Sequence, residues 1–585
     1  MSERMSAAAG SGTDGPPPER PVAGWSRPSR RLPPWDHHRL AACVAAIAAA
    51  WMTMLGARYA VLGFADVRGG LGLGVDDGSW LSTAYAAGDV GGVVTGCWLA
   101  TALSLRRVLL GATCLFTAAS GLLALSPPYA VVLVTRAAQG LAGGALLPMA
   151  IVALLRTLPP RHRALALALY TSASTLAPQV AAGITGWLLD NWGWQSLFLA
   201  NLLPGMLAWI AGAYGLPRET VRLRPLLHTD RFGLLLFVGG LGMLACGFDQ
   251  GNRLDWLHST PIRVLLVAGT VAVCGFASHA ASLRRDRLLN VKLLSRRNIM
   301  LGAWGVVPFG LAATGCGYVI PQYLMQAHDY RPVELGPVLW DAAWPQVISY
   351  AGAILCLDRK WLGGPRRLLA LGFVLVAAGV LHDSLNIDSV WIAGDLRIGQ
   401  ILQGLGLPLI LLPLLYLFVG DLLPREGLHA ALVFNVMRSL GGTIGLAWIS
   451  TLDRVREQAR SNVIMDHVST SAAAVSARLD ALMTAVSARA TGSDQATAQA
   501  LQLLAGNVRL QAQILAHADT LAALAVAMLS GAVLAVCMRF YGSGHPGTNA
   551  HRGGNPAPGL THAGEHPSTI VSNTQQRSSA HDQSE

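Results

Sequence analysis

The chain of 585 residues is 52% hydrophobic and only 13% charged, and its formal net charge is +11. That balance excludes an ordinary soluble domain and indicates an all-α, polytopic membrane protein. The surplus of cations would suit nucleic acid, but it is spread over short loops between apolar runs, which excludes a nucleic-acid groove.

Residues 1–36 are rich in Pro, Gly, Ser and Arg and lack apolar periodicity, so they read as a disordered tail. Fourteen apolar runs then follow, each long enough to cross about 30 Å of hydrocarbon. They begin near Arg39, Ser79, Arg106, Tyr129, Arg163, Gln195, Phe232, Pro261, Ile299, Gly336, Arg366, Ser389, His429 and Ala518. The first is too long and too late for a cleaved secretory signal. Cations gather in alternate loops: Arg106 and Arg107; Arg156, Arg161 and Arg163; Arg218, Arg222, Arg224 and Arg231; Arg284, Arg285, Arg287, Lys292, Arg296 and Arg297; Arg359, Lys360, Arg366 and Arg367; then Arg425. The intervening short loops hold only Arg68, Arg253, Arg263 and Arg331. This positive-inside bias places both termini in the cytoplasm, which requires an even number of spans.

The segment 452–517, between the last two spans, is the one large soluble stretch. Val475, Leu479, Leu482 and Val486 follow helical spacing, as do Leu501, Leu504 and Val508. Thr491-Gly492-Ser493 with Asp494 breaks and recaps the pattern. A helical hairpin on the outer face is expected, as a spacer or as a docking site. Residues 543–585 read as a second disordered cytoplasmic tail, and their His545, His551, His562 and His566 lack metal-ligand spacing. The eight cysteines lie in or beside apolar runs without a Cys-x-x-Cys pair, so they read as small core residues. No phosphate-binding loop, His-Glu-x-x-His or Ser nucleophile elbow is present. No cofactor or metal is expected, and the chain does not read as an enzyme.

The chain also looks duplicated. Arg136-Ala-Ala-Gln139-Gly140-Leu-Ala-Gly143 in the fourth run echoes Gln400-Ile-Leu-Gln403-Gly404-Leu-Gly406 in the twelfth. Residues 37–218 are therefore expected to form one six-helix bundle and 286–542 a second. Residues 219–285 would be two inserted helices. Halves related by an axis along the membrane normal are a transporter architecture with its site near the midplane.

Charges within spans are expensive and mark solute or proton paths. Arg136 lies about eight residues into its run, roughly 12 Å from its edge at 1.5 Å per residue. Asp89 lies mid-span, and two roles are open: a proton carrier, or a structural bridge to Arg58. Asp66 and Arg68 sit at the outer end of the first run. Asp249 ends the seventh and reads as a solvated cap. Gln139, Gln179, Gln346, Gln403, Asn435 and Arg438 are polar groups that would line a cavity or join helices.

Several strings, in order, resemble the major facilitator superfamily, in its fourteen-helix drug:proton antiporter branch. Arg136-x-x-Gln139-Gly140 resembles the arginine motif of its fourth span. Ala177-Pro178, Gly186-Trp187-Leu188-Leu189-Asp190 and Trp192-Gly193-Trp194-Gln195-Ser196-Leu197-Phe198 with Asn201 resemble the end of its antiporter motif. Phe248-Asp249-Gln250-Gly251 with Asp255-Trp256, Pro321-Gln322-Tyr323 and Phe434-Asn435-x-x-Arg438-Ser-x-Gly441-Gly442 resemble stretches near spans seven, nine and thirteen. The departures mark a divergent member: Gly56 stands where the branch carries an Asp, Ala181-Ala182 replaces a Gly-Pro pair, Thr185 replaces a Gly, and Gln400 replaces the repeat's arginine.

The resemblance implies a proton-coupled secondary transporter of a bacterial inner membrane, exporting amphiphilic drugs or toxic compounds by alternating access. Its partners would be a small-molecule substrate, protons and the lipid bilayer, with a periplasmic membrane-fusion adaptor as a further one at 452–517. Asp89, Arg136, Arg58 and Asp66 would serve coupling and gating. Transport of one metabolite or siderophore, or a sensor or scaffold that has lost transport, are the alternatives.

Overall fold

The computed structural model describes residues 36–221, 230–282, 296–359, 364–420, 422, 426–468, 473–487 and 493–537. All belong to one compact unit, Met1–Phe540. The predicted tails, apart from Asp36, lie outside the described residues. So do Arg222, Arg224, Arg284, Arg285, Arg287, Lys292, Lys360, Arg425, Thr491 and Gly492.

Among the described residues there is no strand. The long helices are α1 (His37–Leu62), α2 (Val75–Leu103), α3 (Leu105–Ala124), α4 (Tyr129–Thr157), α5 (Arg163–Trp192), α6 (Leu202–Gly215), α7 (Arg231–Gly251), α8 (Thr260–Ser282), α9 (Arg297–Cys316), α10 (Pro332–Arg359), α11 (Pro365–Asn386), α12 (Arg397–Gly420), α13 (Gly427–His467) and α14 (Ser493–Cys537). Short helices Phe64–Gly70, Gln195–Leu199, Val319–His328 and Ala473–Ser487 join or extend them. A helix satisfies its own backbone, which is what an apolar solvent demands. The ends carry the expected signals. Asp230 caps α7 by accepting from the Gly233 N–H at 2.9 Å. Gly364, at φ +97°, lets Pro365 open α11.

Among the described residues, twelve spans are long and apolar enough to cross a membrane. The two remaining predicted spans, α5 and α10, are long helices of lower apolarity, and they pack against each other between the halves. Pro148, Pro178, Pro345, Pro408 and Pro413 lie inside helices. Pro204 falls in the first turn of α6, where its missing N–H costs nothing.

Two boundaries differ from the sequence reading. The twelfth span begins at Arg397, because Ser389 lies in a loop that Asp388 holds by accepting from the Val390 and Trp391 N–H groups. The last begins at Ser493, not near Ala518, and runs for 45 residues. At 1.5 Å per residue α14 is roughly 68 Å long and α13 roughly 62 Å, twice a bilayer's hydrocarbon. Most of 452–517 is therefore not a separate hairpin but the continuation of these two helices, with the short helix Ala473–Ser487 between them among the described residues. Arg460 and Asp519 clamp the extensions with two bonds of 2.8 and 2.9 Å.

Packing repeats between the halves. The pair α2–α4 corresponds to α10–α12, α3–α4 to α11–α12, α1–α5 to α9–α13, and α3–α6 to α11–α14. The halves meet through α5 with α10 and α2 with α13. Glycine sets the closest approaches. A Cβ at Gly88 or Gly92 of α2 would strike the backbone of Ala137 or Leu141 of α4, and one at Gly140 or Gly144 would strike the Tyr85 or Asp89 carbonyl. Cys43, Cys97 and Cys316 are buried, as small core residues should be, but Cys114, Cys274 and Cys537 face outward.

Candidate functional site

Among the described residues, four of the hydrogen bonds that cross between the two halves form a polar layer within the membrane-length helices. Ser439 of α13 donates to Asp89 of α2 at 2.6 Å. Tyr170 of α5 donates to the Asn435 Oδ1 of α13 at 2.6 Å. Tyr350 of α10 and Thr175 of α5 share a bond of 2.7 Å, and the Gln346 amide of α10 donates to the Thr175 carbonyl at 3.3 Å. Arg438 donates weakly to Asn435 at 3.4 Å, and its buried Nη2 has no hydrogen-bond partner. The helical spacing of Asn435, Arg438 and Ser439 aims all three at this layer.

The bond from Ser439 to Asp89 is charge-assisted when the carboxyl is ionised and weakens when it is protonated. One proton can thus alter how firmly the halves hold each other. Apolar and polar cavities flank the layer at opposite ends. The end that carries Arg106, Arg156, Arg163 and Arg366 holds a cavity of about 170 Å³ between α4, α5, α12 and α13, lined by Ile151, Leu155, Phe418 and Phe434. Arg163 closes that end by donating to the Val419 carbonyl across the halves. At the Arg-poor end a cleft of about 420 Å³ is lined by Asp249, Arg253, Tyr318, Ser450 and Arg454.

Arg136 is almost completely buried, at 1% exposure. Its partner is not a carboxylate. It donates to Gln139 at 2.5 Å and to the Leu81 carbonyl at 3.3 Å, and its guanidinium lies 4.8 Å from the Tyr85 ring centre and 6.0 Å from that of Phe198. Gln139 passes the contact on to Ser120 at 2.7 Å. Neutral dipoles and π faces therefore carry this charge.

The structural bridge to Arg58, one of the two roles open to Asp89, does not form. Asp89 turns to α13, while the Arg58 guanidinium lies beside Gly317, after α9. Among the described residues no ion pair reaches Arg58, Arg136 or Asp89. Asp66 is exposed on the short helix Phe64–Gly70, away from the layer, because α1 ends at Leu62 before reaching it. Gln179 is buried on α5, one turn beyond Thr175. Asp249, near the end of α7, is half-buried and lines the cleft at the Arg-poor end; Thr83 of α2 donates to it, and Gln250 donates to Thr83 at 2.5 Å, tying inserted α7 to the first half. Gly56 has no room for the carboxylate expected there, since a Cβ would meet Asn201 Oδ1 at 2.8 Å and Phe116 at 2.9 Å.

Gln403 is placed where sequence reasoning had no partner for it. It donates at 2.9 Å to Asp383, a fully buried carboxyl on α11 beside His382. Adjacent His and Asp in an apolar run were the available signal; their place near the run's end made them look like interfacial residues. Tyr170, Ser439 and Thr83 were missed for another reason. A lone hydroxyl in a helix ordinarily bonds its own backbone.

The fold and its polar layer define a multi-pass membrane transport protein of two repeated bundles. Residues 41–446 match the Major Facilitator Superfamily, and the chain belongs to that family. It is 28% identical over 409 residues to the "Colistin resistance protein EmrB" of Acinetobacter baumannii, covering 69% of this chain and 78% of that one. It is 26% identical over 421 residues to the "Multidrug export protein EmrB" of Escherichia coli strain K12, covering 70% and 79%. In fold it is similar to the crystal structure of an auto-inhibited POT family peptide transporter, with a TM-score of 0.52 at 13% identity over 87% of this chain and 98% of that one.

Proposed function

We propose that this protein is a proton-coupled exporter of amphiphilic drugs or toxic compounds, working by alternating access. The observation that carries the reading is the bond from Ser439 to Asp89, a carboxyl of one half held by a hydroxyl of the other. Protonation of Asp89 from the Arg-poor side loosens the halves, and loss of the proton to the other side restores their grip. Arg136 holds α4 against α2 and orients Tyr85, one turn before Asp89. Gln179, Gln346, Asn435 and Arg438 line the substrate path between the bundles. The relatives named for colistin resistance and multidrug export support the substrate class.

The Arg-rich end faces the cytoplasm of a bacterial inner membrane, following the positive-inside bias, and both termini lie there. In this reading residues 37–218 and 286–542 are the two bundles, 219–285 is the inserted pair, and α5 and α10 bring the spans to fourteen. The extensions of α13 and α14 then project outward, where a membrane-fusion adaptor would meet them. The sequence holds no phosphate-binding loop, so the ion gradient is the energy source in this reading. One charge crossing about 100 mV releases about 2.3 kcal/mol, which suffices to drive a tens-fold gradient.

The test is transport by the full chain in proteoliposomes loaded with a pH-sensitive dye, with ethidium and colistin as probes. Wild type should exchange protons when either probe is added, and Asp89→Asn should bind the probe yet move no protons. Full proton exchange by Asp89→Asn would sink the assignment of Asp89. Absence of proton movement in wild type would sink proton coupling itself.

A further inference from the structure

Asp383 lies on α11, one turn from the Arg-poor end, with no exposed surface. Among the described residues no Lys or Arg pairs with it. Its Oδ2 accepts from Gln403 at 2.9 Å, and its Oδ1 lies 3.2 Å from the His382 Nδ1. Gly399 faces the carboxyl so closely that a Cβ there would overlap it. A built pocket therefore surrounds a group that is costly to bury as an anion.

Two neighbouring buried amide atoms make no hydrogen bond of ordinary geometry, the Gln403 Oε1 and the Gln400 Nε2, and Gln400 lies within reach of the carboxyl. They serve different protonation states. The Gln400 nitrogen is a spare donor for the ionised carboxylate. The Gln403 oxygen, after a flip of its amide, is a spare acceptor for the O–H of the acid. Both forms of Asp383 can be satisfied without moving a helix.

His382 gives the carboxyl a route outward. Its side chain is 28% exposed, and its ring lies 5.7 Å from Trp391 in the loop at the Arg-poor end. The other groups around Asp383 do not compete for the role. Cys316 of α9 brings a buried thiol into electrostatic range. Arg397, which opens α12, is paired with Asp341 at 3.1 Å. On α14, the Ala518 carbonyl accepts from Ser384, and His517 is committed to Asp453 and Gln326.

We propose that His382 and Asp383 form a second proton-loading site, in which His382 takes a proton from the outer side and passes it to the buried carboxyl. The imidazolium gives its Nδ1 proton to the Asp383 Oδ1. The imidazole is left neutral with its proton on Nε2, the carboxylate becomes the acid, and no charge remains inside. The use of that proton in export rests on the proton-coupled reading above; the loading itself does not.

Infrared difference spectroscopy on the full chain in phosphatidylethanolamine–phosphatidylglycerol liposomes tests loading without any substrate. Stepping the external pH should raise and lower a protonated-carboxyl band. Asp383→Asn should remove that band, and Asp383→Glu should keep it at a shifted frequency. His382→Asn should keep the band but slow its deuterium exchange roughly tenfold or more. The proposal is overturned if Asp383→Asn leaves every pH-dependent carboxyl band, or if His382→Asn exchanges at the wild-type rate. Should Asp383→Asn fail to fold, His382→Asn decides alone, because it leaves the carboxyl in place. A loading band in a wild type that shows no coupled export would overturn the export reading and leave this site standing.

Discussion

At matching positions of the two repeats, α4 carries Arg136 and Gln139 while α12 carries Gln400 and Gln403. In the first half Gln139 is occupied at both ends, by Arg136 and by Ser120 of α3. In the second half α11 supplies Asp383 to the same layer, and α12 supplies no cation against it. A guanidinium stays charged throughout a transport cycle, so Arg136 can orient neighbours but cannot carry a proton. A carboxyl can do both. The seams repeat in part. Glycines bring α2 and α4 together in the first half, and in the second Gly404 of α12 keeps the corresponding approach to the Ala342 carbonyl of α10, while Gly372, Gly379, Gly399 and Gly406 add a seam between α11 and α12. At this pair of matching positions the scaffold thus carries a fixed charge in the first half and a titratable group in the second, beside the first half's own Asp89.

The largest expected effect is at the junction of the halves. Asp89→Asn should lower substrate-driven proton release by about a hundredfold or more, read with the pH-sensitive dye, while ethidium binding persists. Next comes the first-half seam. Gly92→Val places a side chain on the Leu141 backbone and should cost about 3 kcal/mol or more, read as a lowered unfolding midpoint in detergent. Gly111→Ala, which meets nothing within 4 Å, should leave that midpoint unchanged. Arg136→Gln makes the first half resemble the second. It leaves the Leu81 carbonyl and one end of Gln139 unserved, and should cost about 2–3 kcal/mol in the same measurement. Equal stability of this variant and wild type would show that the cation has no structural part. The smallest effect is Tyr170→Phe. It removes one bond to Asn435 and should cost about 1 kcal/mol, with substrate affinity changed more than proton stoichiometry.

Much of the architecture was open to reading along the chain. Long apolar runs, alternating cationic loops and the echo of 136–143 in 400–406 follow from local rules: a helix of fixed rise, a solvent of fixed thickness, a charge bias at its faces. The site was legible only in part. Asp89, Arg136, Asn435 and Arg438 stood out because a charge or amide in an apolar run is conspicuous whatever it touches. Their partners did not. Asp89 offered Arg58 as one partner and met Ser439; Arg136 stood without a named partner and met Gln139 with two aromatic rings.

Hydropathy and helical period are properties of one segment, so this chain's order of residues was enough to specify its membrane-length helices in outline, its repeat and its embedded charges. Which side chains meet depends on how helices far apart in sequence cross and rotate, and those angles are set by packing at glycine seams such as Gly92 with Leu141. That is why Asp383 passed unnoticed near the end of an apolar run. It became a buried carboxyl with its own histidine only when α9, α12 and α14 closed around it.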